Sequence, residues 1–192
     1  MRRKWFCVPM ISLLLLTGCA GGEVSEAERE ALLIRSQYLE AEEYSGRAAL
    51  TADYGRRVYE FQMDFRAAGE ETELTVTAPE TVAGIAARTE KGKGFLICDD
   101  LVLETGALDE EGLTPMTAVP AVLEETRSGF ISACSYTEEG LLRVDCRDPE
   151  EEPGQGREIS LWFDGEHRLS RGEICRDGLL QISCQFSDFT MK

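Results

Sequence analysis

The chain has 192 residues, with 20 Lys+Arg against 36 Asp+Glu, a formal net charge of −16 and one histidine. So acidic a surface repels phosphate backbones and anionic headgroups, which excludes nucleic acid as a partner. The length suits one domain with its own core.

The chain opens on a basic start (Arg2, Arg3, Lys4) and an apolar run of 12 residues from Trp5 to Leu16, with Pro9 inside it. A membrane-spanning helix needs roughly 20 apolar residues, so this run has the layout of an export signal instead. Leu16-Thr17-Gly18-Cys19 follows. The segment resembles a bacterial lipoprotein signal peptide with its lipobox. That resemblance implies cleavage before Cys19 and lipidation of its sulfur, with a diacylglycerol group and palmitate-type chains as membrane anchor. An ordinary signal peptide, or a cysteine with no role, are the other readings. Residues 1–18 are thus read as signal peptide, 19–24 as tether and 25–192 as a single domain. Removing 1–18 leaves 174 residues, with 17 Lys+Arg against 36 Asp+Glu, or −19. That charge would not hold the protein on a membrane, whereas two acyl chains suffice, each buried CH₂ contributing about 0.8 kcal/mol. The expected location is the cell envelope, lipid-anchored to the outer face of the cytoplasmic membrane or to the outer membrane, and a monomer is expected.

Ser25 with Glu28 three residues on forms a capping box, and Ala27, Ala31, Ile34, Tyr38 and Ala41 recur at helical spacing. A helix is predicted from there to about Tyr44. From residue 45 the period becomes two. Over 57–66, Tyr59, Phe61, Met63 and Phe65 alternate with Glu60, Gln62, Asp64 and Arg66, the pattern of a half-buried antiparallel strand. Leu74, Val76 and Ala78 continue it up to Pro79, and strands are predicted at 82–89, 94–98 and 101–104. Residues 105–114 read as an acidic loop. Pro115 suits the first turn of a second helix, with Met116, Val119, Val122 and Leu123 as its apolar positions, Pro120 inside it and Gly129 at its end. Hairpins at 130–136/141–147 and 169–176/179–187 flank a solvated loop (148–156) and a strand carrying Ile159, Leu161 and Phe163. The count is ten or eleven strands and two helices.

Reactive groups are sparse. His167 sits in a turn beside Asp164 and Glu166, and Ser170 carries no mark of an activated nucleophile. The acidic runs lack calcium-loop spacing, and Gly92-Lys93-Gly94 leads into a strand, not a helix, so it is a hairpin turn and not a phosphate loop. No cysteine pair has CxxC spacing. With Cys7 in the signal and Cys19 lipidated, Cys98, Cys134, Cys146, Cys175 and Cys184 remain. A turn at Asp177-Gly178 places Leu180 opposite Cys175 and Arg171 opposite Cys184, so these two cysteines should not meet. Most of the five are expected to be reduced core residues. No enzyme activity, cofactor or metal is expected.

A helix, a long antiparallel meander and an interrupting second helix form an unusual order. One curved sheet has one apolar concave face, and only the helices are available to cover it. The helix ending Gln37-Tyr38-Leu39, the strands Ala48–Tyr54 and Val58–Arg66, the segment Gly94-Phe95-Leu96-Ile97-Cys98-Asp99-Asp100, and Leu161-Trp162-Phe163-Asp164 with the closing hairpin together resemble the outer-membrane lipoprotein carrier superfamily, the LolA/LolB-like fold. That resemblance covers about residues 30–190. It implies an α+β, mostly β fold: a half-barrel sheet under two helices that holds acyl chains between them. Tyr59, Phe61, Met63, Phe65, Leu74 and Val76, facing Met116, Val119 and Leu123, would line such a ligand-binding site. Close packing accommodates the same side chains. Two functions follow. One is a membrane-anchored lipoprotein binding an apolar ligand, an acyl chain or a lipoprotein's lipid. The other is a structural or regulatory envelope module with a filled core, acting through contacts with another envelope protein. Met63→Asp is expected to separate them by abolishing ligand binding while the fold survives.

Overall fold

A computed structural model describes residues 24–91, 93–98, 101–107 and 114–192. Residues 1–18, Cys19 and the acidic run Asp109–Gly112 lie outside the described residues. Helix α1 spans Glu26–Glu40 and starts on the expected capping box: Ser25 Oγ accepts from the Glu28 N–H, and the Glu28 carboxylate accepts from the Ser25 N–H. It buries Ala27, Ala31, Ile34 and Tyr38. The helix stops before Tyr44 because Tyr44 is already in strand β1 (Glu43–Asp53), paired with Ala67 on one side and Met191 on the other.

Ten more strands follow: β2 (Val58–Ala68), β3 (Glu71–Ala78), β4 (Ala86–Glu90), β5 (Lys93–Cys98), β6 (Leu101–Ala107), β7 (Ile131–Tyr136), β8 (Leu142–Arg147), β9 (Arg157–Phe163), β10 (Leu169–Arg176) and β11 (Leu179–Met191). A short 3₁₀ turn (Glu80–Val82) takes Val82, the first residue expected of β4, and the strand starts only at Ala86. All eleven strands form one antiparallel sheet in the order β6-β5-β4-β3-β2-β1-β11-β10-β9-β8-β7. Two meanders, β1–β6 and β7–β11, therefore join at the β1–β11 seam. β11 runs four residues past its expected end. Asp188 takes a left-handed conformation there (φ 52°), and the register shifts between Ser45 and Arg47. This bulge lets the strand bend and go on pairing to Met191.

Helix α2 (Pro115–Ser128) ends against Gly129 as expected. It crosses the sheet centre, packing on β1, β2, β9, β10 and β11, while α1 packs on β7, β8 and α2. Close approach is possible because β10 carries a glycine beneath it: a Cβ on Gly172 would lie 2.8 Å from Val122 Cγ1. Aromatic rings fill the space under the helices. Tyr38 sits 5.5 Å from Tyr44, 5.8 Å from Phe163 and 6.0 Å from Phe189, and Phe65 lies 5.7 Å edge-on to Phe186. The buried Tyr38 hydroxyl accepts from the Leu169 N–H (2.9 Å) and donates to the His167 carbonyl (3.3 Å).

On the outer face Trp162 is buried between two guanidinium groups from neighbouring strands, Arg143 at 5.2 Å and Arg171 at 4.8 Å from its ring. Antiparallel pairing places both directly opposite it. Cation–π stacking thus shields an indole that has no core to enter.

Candidate apolar site on the concave face

Cross-strand pairing defines the concave face. Residues directly opposite each other in an antiparallel pair share a face, so the chain of partners Phe65–Leu74–Ala87–Leu96–Leu103 is one apolar row across β2, β3, β4, β5 and β6. Its burial falls steadily. Phe65 and Leu74 are buried at 4% and 0% exposure, Leu96 is half-buried, and Leu103 at the sheet edge is 55% exposed. A second row pairs Ala48 with Met63 and Met63 with Val76. The helices' main contacts stop at β2, so the β3–β6 half of the face lies beyond them.

The expected lining residues divide along this gradient. Met63, Phe65, Leu74, Val76, Val119 and Leu123 are buried, and Met116 is partly buried against the core. Phe61 is half-buried and Tyr59 is 40% exposed, with their rings stacked 6.5 Å apart; Tyr54 lies 6.1 Å from Tyr59. The β2 and β3 members thus form one patch by pairing, and Tyr59 and Phe61 continue it outward as an aromatic rim. Leu96, Leu101 and Leu103 were not among the expected residues. The signal for them was present, since Leu101-Val102-Leu103 is an uninterrupted apolar run, but alternation alone does not assign such a run to a face. A carboxylate at Met63 would be sealed inside the protein and would cost several kcal/mol to bury unpaired. Met63→Asp therefore reports on folding and cannot separate the two functions.

Polar chemistry lies elsewhere. The expected solvated turn residue, His167, is held against α1: its Nδ1 is 2.9 Å from Gln37 Oε1 and its Nε2 is 3.5 Å from a Glu30 carboxylate oxygen. The Ser170 hydroxyl donates to the Trp162 carbonyl (3.0 Å), so it is engaged with backbone. The turn is fixed by Asp164. Partial burial alone would raise its pKa, but hydrogen bonds from the Arg168 N–H, the Arg168 side chain and the Glu166 N–H hold it below the usual carboxylate value. Burial pushes the Cys146 and Cys184 thiols up to about 12. The five cysteines at 98, 134, 146, 175 and 184 are free as expected, but only Cys146 and Cys184 are buried; Cys134 and Cys175 are half-buried and Cys98 is exposed, so most are not core residues. Leu180 faces Cys175 as expected, but a bulge after Ile174 shifts the register so that Gly172, and not Arg171, faces Cys184. Among the described residues no three metal-ligating side chains converge, and no helix is long and apolar enough to cross a membrane.

No protein-family model and no curated protein matches the chain. Solved structures do. An uncharacterized conserved protein from Thermus thermophilus aligns with a TM-score of 0.50 at 10% identity, covering 87% of this chain and 88% of that one. A putative outer membrane lipoprotein-sorting protein domain from Vibrio parahaemolyticus gives 0.47 at 12% identity, covering 86% and 93%. A LolA superfamily protein from Nitrosomonas europaea gives 0.44 at 9% identity, covering 84% and 93%. At such identities the likeness is one of fold alone: an open, curved antiparallel sheet with two helices on its inner face, the LolA-like arrangement.

Proposed function

We infer that this is a lipid-anchored protein of the cell envelope that binds an apolar chain along the concave face of its sheet and performs no catalysis. The observation that carries this reading is the row Phe65–Leu74–Ala87–Leu96–Leu103, which leads without a polar break from the packed core to the open edge. A continuous apolar track that ends exposed is unusual for a surface whose only task is to close a core. The acidic surface, at −16 overall, disfavours an anionic headgroup, so the recognised part is the acyl chain. Tyr59, Phe61 and Met116 flank the track where burial is incomplete, and Val119 and Leu123 form its inner end. Anchoring rests on Cys19. Labelled palmitate should enter the wild-type chain and fail to enter Cys19→Ala, and equal labelling of both removes the anchor.

The binding reading is tested with a fluorescent fatty-acid probe and the chain from residue 20. Uptake is expected, and Leu103→Asp should weaken it at least tenfold with little change in Tm, because Leu103 is more than half exposed. Failure of the unmutated chain to take up the probe refutes the reading.

A further inference from the structure

The two ends of the sheet are built differently. At the β7 end Ile131 and Cys134 pack against the core, Ser132, Ala133 and Ser135 are exposed, and α1 packs against the strand. The β6 end begins with three residues, Leu101–Leu103, that are apolar on both faces, ahead of Glu104. Leu101 and Leu103 stand on the concave side at 67% and 55% exposure, and Val102 stands on the outer side at 56%, next to its partner Ile97. Among the described residues β6 pairs with β5 alone. Natural edge strands are normally blunted by charge, proline or cover, because their free N–H and C=O groups accept another strand. Leu101–Leu103 contains neither charge nor proline, and among the described residues no element covers it.

We propose that β6 is a docking edge for an extended, cationic segment of a partner protein, which adds to the sheet as a twelfth strand. Geometry selects this occupant. A helix or a lipid surface covers one face of a sheet, and Leu101/Leu103 and Val102 lie on opposite faces. Only a strand that continues the sheet places side chains against both while satisfying the free backbone groups. Charge then selects between a second copy and another chain. Each copy carries −16, and like charges oppose self-association. The cations on β4 and β5 already face carboxylates: Lys93 lies 3.2 Å from Glu104, and Arg88 lies 3.8 Å from Glu71. A basic strand meets complementary charge here, and an acidic one does not.

The test uses the full-length chain in lipid nanodiscs and a short synthetic peptide of valines flanked by lysines, followed by fluorescence anisotropy, with empty nanodiscs as control. Saturable binding to the loaded discs alone is expected. Val102→Lys, a solvent-facing change on the outer face, should weaken it at least tenfold. A peptide N-methylated at alternate residues should not bind, since it cannot pair along its backbone. Fatty-acid uptake should be untouched in Val102→Lys, so this result stands or falls apart from the apolar-ligand reading. Absence of saturable binding, equal binding by Val102→Lys, or equal binding of the methylated peptide each overturns the proposal. So does a wild-type dimer that Val102→Lys dissolves, which would make a second copy the occupant, or equal binding to empty discs, which would make it lipid.

Discussion

Replacing Gly172 by alanine probes the contact on which the helix-over-sheet arrangement depends. The new methyl would sit 2.8 and 2.9 Å from the two Val122 methyls, where ordinary carbon contacts lie at about 3.5–4.0 Å. Nearly an ångström of overlap must be relieved by lifting α2 or twisting Val122 off its rotamer. Overpacking of this kind costs about 1–3 kcal/mol, or a fall in Tm of roughly 3–10 °C for a domain of this size. Val122→Ala alone removes two buried methyl groups and should cost about 2 kcal/mol. The double variant is the decisive measurement. There the alanine methyl occupies the space that Val122 vacates, so its cost should fall below the sum of the single variants by about 1–2 kcal/mol. Urea denaturation of the four proteins gives the coupling directly. Costs that add to within about 0.5 kcal/mol would mean that the two residues do not touch, and α2 would then not lie across β10.

Three further outcomes follow from the packing and the titrating groups. Replacing both Arg143 and Arg171 by alanine should red-shift Trp162 emission as water reaches the indole, at a cost of about 1–2 kcal/mol for two exposed cation–π contacts; an unchanged spectrum would show that the stack does not shield it. In native protein an alkylating reagent should modify the exposed Cys98 at neutral pH while Cys146 and Cys184, buried and with thiols pushed up to about 12, react only after unfolding; mass spectrometry of partly labelled chains reads the order. Asp164 has a folded-state pKa below its unfolded value, so its contribution is complete above the ordinary carboxylate value and is lost as pH falls through the folded one. Asp164→Asn should flatten that acid limb of the stability curve, and an identical limb in both proteins would remove Asp164 from it.

Much of this architecture is legible in the residues. The capping box marks the start of α1, Pro115 and Gly129 bracket α2, and strict alternation over 59–66 identifies β2 and the face it buries. What escapes detection depends on partners distant in sequence. The end of α1 is set by Tyr44 joining Ala67 and Met191, and nothing local to residues 41–44 announces it. Trp162 breaks the alternation of its strand, but Arg143 and Arg171 come opposite it only through the pairing of three strands. His167 reads as solvated because Gln37 and Glu30, which hold it, lie about 130 residues earlier. Alternation reveals the apolar track on β2 and β3, where polar residues mark the other face. On β5 and β6 both faces are apolar, and period two carries no information.

The seam between β1 and β11 has a bearing on how the molecule comes into being. Tyr44 and Met191 are neighbours in space yet far apart in sequence, so of the eleven strands the last to be synthesised is one that completes the middle of the sheet. Until β11 emerges, each meander has an unzipped margin and the floor beneath α2 is incomplete. Contacts of such long sequence separation form slowly, so the two meanders should be in place before the seam between them closes. Cutting away residues 188–192 would accordingly leave β1 without part of its partner at the centre of the molecule, a more damaging loss than clipping an outer strand of the same length.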